Sequence, residues 1–135
     1  MKKKRLLFSA LIMFVSLIGC HSDHLKNELN LTEEITIIEI YIWDDDILVA
    51  TIEDKELINK LIKKLNSART YSTANMDYPL PDYKLVFKNN EQKDIFTIGY
   101  YNEIANLGVK GRYLDVRKDV MYEVELRLPI FHTDK

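Results

Sequence analysis

The chain has 135 residues, with 19 basic against 21 acidic, a formal net charge of −2 and one cysteine. A lone cysteine excludes an internal disulfide, so the fold must be held by an apolar core, and the length suits a single one. Without an excess of basic charge there is no face for a phosphate backbone, and nucleic acid is not an expected partner.

The first element is a leader. Lys2, Lys3, Lys4 and Arg5 form a basic start, and Leu6 to Ile18 form an apolar run interrupted by Ser9, Ala10 and Ser16. That run is too short for a hydrocarbon core, which takes roughly 20 apolar residues, and it fits a secretory signal. It ends in Leu17-Ile18-Gly19-Cys20, which resembles the lipobox of bacterial lipoproteins at each position. The resemblance implies cleavage after Gly19 and a diacylglyceryl group on the Cys20 thiol. It also implies a lipid bilayer as partner and residence on the extracytoplasmic face of the cell membrane. Losing the four basic residues of the leader would leave 15 basic against 21 acidic residues, a net charge of −6.

Residues 20–34 read as the lipidated cysteine and a polar tether, with only Leu25, Leu29 and Leu31 apolar after Cys20. Residues 35–135 read as one α+β domain. Ile35 to Trp43 alternates as a strand, Asp44-Asp45-Asp46 marks a turn, and Ile47 to Ile52 returns as the second strand of a hairpin. Glu53 to Ser67 is the clearest helix: Leu57, Ile58, Leu61, Ile62 and Leu65 form one stripe. Its acids lie at the start and its lysines near the end, as the helix dipole favours. Residues 68–81 read as a long loop. Further strands are expected over Asp82–Lys88, Lys93–Tyr101, Arg112–Val116 and Val120–Leu128. In the last of these Val120, Tyr122, Val124, Leu126 and Leu128 point inward. The expected fold is a mostly antiparallel sheet of five or six strands, with one amphipathic helix packed on one face.

Three segments, Leu48–Glu56, Lys64–Ala68 and Pro81–Phe87, resemble the small YhfM-like lipoproteins of Gram-positive bacteria, over roughly residues 35–125. That family carries no assigned reaction, so the resemblance transfers no catalytic residue. It implies a further helix after the last strand, and Leu128 to Lys135 does not read as one.

No motif points to catalysis. Three consecutive aspartates cannot all face one cation, and hard cations take six or more oxygen ligands. His21 and His24 lie in the tether and His132 near the end, short of the three or four converging ligands of a zinc site. Gly108-Val109-Lys110-Gly111 reads as a turn and lacks the strand and helix of a phosphate loop. The expectation is therefore a non-catalytic lipoprotein without cofactor or metal that binds an envelope protein. The alternative is a receptor for a small ligand or cell-wall fragment. The candidate binding surface is the 71–83 loop with Tyr71, Tyr78 and Tyr83, since tyrosine joins apolar area to a polar tip. Arg112, Arg117 and Lys118 are the candidates for holding an anionic group.

Overall fold

An apolar helical stripe and several alternating strands each leave one face uncovered, and packing them together buries both. The computed structural model describes residues 24, 25 and 27–131, the first two by their backbone alone. Gly19, Cys20, His21 and His132, and with them the leader and the lipidation site, lie outside the described residues.

The elements run β1 (His24–Leu25), β2 (Ile37–Ile42), β3 (Leu48–Ile52), α1 (Lys55–Ser67), β4 (Thr70–Ser72), β5 (Tyr83–Lys88), β6 (Asp94–Asn106), β7 (Lys110–Asp115) and β8 (Val120–Tyr122). Among the described residues they form one sheet in the order β1-β4-β8-β7-β6-β5-β2-β3. Every neighbouring pair is antiparallel. The class is α+β as expected, but the count of five or six strands is too low. Seven strands have three residues or more, and the two-residue β1 adds an eighth at one edge. The missed β4 lies in the stretch expected to be loop. Three residues are too short for an alternation to show, and β4 forms because β8 offers it a ladder, with Thr70 opposite Tyr122 and Ser72 opposite Val120.

Among the described residues, each of the four hairpins between consecutive strands is closed around one left-handed residue. These are Asp46 (φ 53°), Gln92 (φ 63°), Gly108 (φ 88°) and Asp119 (φ 52°). Asp and Gly tolerate this region better than most residues, for steric and local hydrogen-bonding reasons.

Asp54 stands outside α1 as its N-cap and accepts from the amides of Glu56 at 3.0 Å and Leu57 at 3.3 Å. The helix therefore begins two residues later than its charge pattern suggests. Ile58, Leu61 and Leu65 are fully buried against the sheet, each contributing about 1.5–3 kcal/mol by leaving water. They meet Ile38, Ile40, Leu85, Phe87, Ile98, Tyr100 and Tyr113 in one cluster. On the opposite face Tyr101, Leu114 and Met121 pack with Val109 in a smaller cluster, closed by Tyr71 and Tyr78.

The last expected strand is half right. Val124 and Leu128 are buried as the alternation demands, but the ladder stops at Tyr122. A tight turn, in which the Val124 amide donates to the Tyr122 carbonyl at 2.8 Å, ends the regular ladder, and after a last bond from the Arg112 amide to the Val124 carbonyl at 2.9 Å the chain leaves the sheet. It then crosses the helix-side face as an extended strap. Tyrosine hydroxyls from the sheet hold this strap: Tyr113 donates to the Leu126 carbonyl at 2.7 Å, and Tyr100 accepts from the Leu128 amide at 3.0 Å. Gly111 permits the crossing, since a Cβ there would lie 2.1 Å from the Tyr122 carbonyl oxygen.

The expected tether is shorter than its polarity suggests. Asn27 donates through Nδ2 to the carbonyls of Leu65 at 2.8 Å and Ala68 at 2.9 Å, capping the exposed end of α1. Its Oδ1 accepts from the Leu29 amide at 2.9 Å, and Asn66 holds both the amide and carbonyl of Leu31. Leu29 reaches the main core. Asn27→Ala is expected to cost about 1–2 kcal/mol, from the lost bonds to the Leu65 and Ala68 carbonyls, the former keeping only the Ala68 amide at 3.3 Å. Urea unfolding would show this as a lower midpoint at unchanged slope.

Candidate functional site

The five side chains proposed for binding do not converge on one surface. Tyr83 is buried, its ring 6.3 Å from that of Tyr100. Tyr71 and Tyr78 are half-buried and pack on the second cluster, the Tyr71 ring against Gly108. The Tyr78 hydroxyl lies 3.2 Å from Asp119 Oδ1 and the Tyr101 hydroxyl donates to the Pro79 carbonyl at 2.6 Å, so the 71–83 loop is folded down over the sheet. The loop presents Leu80, 55% exposed, rather than an aromatic patch.

Arg112 is buried, and its guanidinium is committed to the chain itself. It donates to the Asn102 carbonyl and, through Nε, to the Glu125 carbonyl at 3.0 Å. Between the pairs Tyr100–Tyr113 and Ala105–Gly111, β6 carries four residues where β7 carries only Arg112. The side chain fills this bulge and ties it to the strap. Arg117 is exposed in the turn between β7 and β8, where Asp115 accepts from its amide.

Burial raises the phenols of Tyr101 and Tyr122 to about 12, and pushes that of Tyr113 further up. The unfolded chain titrates near the ordinary value of 10.0. The stabilisation is thus complete below pH 10 and is lost between about pH 10 and 12, as the unfolded state releases protons that the native state keeps. Tyrosinate absorbance and far-ultraviolet circular dichroism are expected to change together in that window. Full phenol titration near pH 10 in a folded chain would contradict the burial.

Two surface features remain. One is an open groove of about 850 Å³ between the C-terminal half of α1, the tip of the β6–β7 hairpin and the strap. Lys60, Lys64, Arg69 and Lys110 line it, with Glu123 and Glu125; Arg69 and Glu123 approach to 3.5 Å. Asn106, Gly108, Val109 and Lys110 at its rim come from the β6–β7 hairpin, whose bend Gly108 and Gly111 mark in the sequence.

The second is the edge strand β3. Its one neighbour among the described residues is β2. Ile47, Leu48 and Val49 at its start are 54%, 48% and 44% exposed. A register shift in the pairing leaves Val49 without a counterpart: Leu48 faces Tyr41 and Ala50 faces Ile40. Sequence reasoning placed Ile47 to Ile52 in the hairpin and missed this surface. Alternation tells which residues share a face, whereas edge position depends on the order of strands far apart in the chain.

Among the described residues no group of acids, histidines and cysteines could hold a metal ion, and no helix is long and apolar enough to cross a membrane. No protein family, no curated protein and no solved structure matches the chain. The functional reading rests on this chain's own residues and geometry.

Proposed function

We propose that the chain is a non-catalytic lipoprotein of the cell envelope, held by acylated Cys20, whose domain binds a partner protein through the edge strand β3. The observation that carries the partner reading is the run Ile47-Leu48-Val49, three consecutive exposed apolar side chains at the edge of the sheet, whereas the other large exposed apolar residues described, Leu80, Ile104 and Phe131, stand singly. Contiguous exposed apolar side chains on a small domain mark interaction sites.

The route of the chain supports the placement. His24 pairs with Tyr71 and Ser72 with Val120, so β1 starts at the end of the sheet that carries the β7–β8 turn. Residues 20–23 reach about 14 Å when extended, against about 50 Å for a tether running to residue 34. The domain would thus stand close to the bilayer. Exposed Arg117 and Lys118 in that turn would lie near the headgroups, each attracted by about 1 kcal/mol if the lipid is anionic. The β3 edge lies seven strand steps from β1, about 34 Å along the sheet at ~4.8 Å per step, away from the anchored end of the chain.

In-cell cross-linking with affinity capture tests this reading, with Cys20→Ala as the unanchored control. The expected result is an envelope protein cross-linked to residues 47–52 and recovered with the anchored form only. Recovery of no protein above control would overturn it.

The groove favours a second reading, a receptor for an anionic ligand, because Lys60, Lys64 and Lys110 make no ion pair among the described residues. Thermal unfolding with and without inorganic polyphosphate tests it. An unchanged midpoint would remove that reading.

A further inference from the structure

We infer that β3 accepts an added strand from its partner, and that this strand has an apolar, β-branched centre and basic residues at both ends. The inference rests on the partner-protein reading and adds the chemistry of the contact.

A terminal strand presents a row of unpaired amides and carbonyls, which folded proteins usually blunt with lysine, proline, inward-pointing charge, a bulge or a covering loop, and of these β3 carries a bulge alone among the described residues. Leu48-Val49-Ala50-Thr51-Ile52 contains neither lysine nor proline nor any charge. The bulge at Val49 bends the start of the strand, and Ala50 to Ile52 keep regular register with β2. Backbone pairing along such an edge supplies affinity, and the exposed Ile47, Leu48 and Val49 supply contact for alternate side chains of the incoming segment.

The charges around the strand decide the occupant. Asp44, Asp45 and Asp46 precede it and Glu53 and Asp54 follow it, all exposed. Asp46 pairs with Lys84 and Asp54 caps α1, which leaves Asp44, Asp45 and Glu53 to face a partner. A second copy of this chain is a poor occupant. Antiparallel self-pairing about Val49 and Ala50 sets Asp46 against Glu53 and Asp45 against Asp54. Parallel pairing sets each acid beside itself. Like charges directly opposite across a ladder are destabilising. A segment with lysine or arginine flanks meets both acidic ends and is steered to the edge by them.

The test uses the lipidated chain in nanodiscs of zwitterionic lipid, so that basic probes have no anionic bilayer to bind. Two synthetic peptides share a Val-Thr-Val-Thr-Val centre, one flanked by lysine pairs and one by glutamate pairs. Amide hydrogen exchange is followed along the chain. The lysine-flanked peptide is expected to slow exchange in residues 48–52 by at least about tenfold, as a newly paired edge should. The effect should shrink in high salt and in the triple variant Asp44→Lys, Asp45→Lys, Glu53→Lys, whose substitutions are on exposed side chains and leave the core intact. The glutamate-flanked peptide should have no effect. Absence of protection at β3, protection located elsewhere, or equal protection by both peptides would overturn the inference. So would protection that grows with protein concentration without peptide, which would identify a second copy as the occupant. A cross-link from the capture experiment that maps away from β3 would overturn the contact while leaving a partner protein in place.

Discussion

Tyr100→Ala is expected to cost about 4–5 kcal/mol and to leave the domain close to unfolding. Large-to-small changes at buried aromatic positions cost about 3–5 kcal/mol through lost burial and the cavity left behind. Tyr100 is fully buried in the middle of the main core, its ring 5.3 Å from Tyr113 and 6.3 Å from Tyr83. Its hydroxyl also holds the Leu128 amide, so truncation releases the strap as well as emptying the core. Against the 5–15 kcal/mol of a typical domain this is a large fraction. Tyr100→Phe separates the two contributions: it keeps the ring and orphans one amide, at about 1–2 kcal/mol. Urea unfolding of both variants checks this. A Tyr100→Ala protein within 1 kcal/mol of the parent would show that the strap and helix do not close over that ring.

Arg112→Ala is expected to destabilise by about 3 kcal/mol, with a correspondingly lower thermal midpoint. Hydrogen bonds from a charged donor contribute about 1.5–3 kcal/mol each, and Arg112 makes such bonds to the carbonyls of Asn102 and Glu125 from a buried position. Lysine is a poor substitute, since one ammonium cannot reproduce a planar fork that spans the β6 bulge and the strap. Arg117→Ala, by contrast, removes an exposed side chain and should change stability by no more than about 0.5 kcal/mol. The pair separates structure from binding. A ligand signal lost in Arg112→Ala at the temperature where the protein unfolds reports folding, and a signal lost in a folded Arg117→Ala would report contact. Equal stability of the two variants would refute the structural role of Arg112.

How the two arginines diverge shows where local reasoning ends. Both are basic residues in a strand-and-turn stretch of an acidic domain, and nothing near either in the chain tells them apart. The difference is made by Asn102 and Glu125, ten and thirteen residues away, which leave carbonyls at the bulge that only Arg112 reaches. The tyrosines behave alike. Their amphipathic character suggested a surface, and tertiary packing used it differently: the rings fill both faces of the sheet, and several hydroxyls satisfy backbone groups of segments that leave the ladder.

The basic start, apolar run and Leu17-Ile18-Gly19-Cys20 carry the expectation of a lipid anchor in consecutive residues, independent of the fold. The α+β class and the α1 stripe were also legible, because periods of 3.6 and 2 are properties of the local chain. Four of the eight strands among the described residues, β2, β3, β5 and β7, were expected within about two residues of their ends. Tertiary structure alone decided that β4 pairs with β8 and that Asn27 caps the far end of α1. It also decided that the alternation after Tyr122 continues as a strap rather than a strand, and that β3 stands at the edge. Each depends on which distant groups are left unpaired once the sheet has closed. A backbone donor or acceptor is satisfied by whatever the fold brings to it, and its own neighbours in the chain carry no record of that partner.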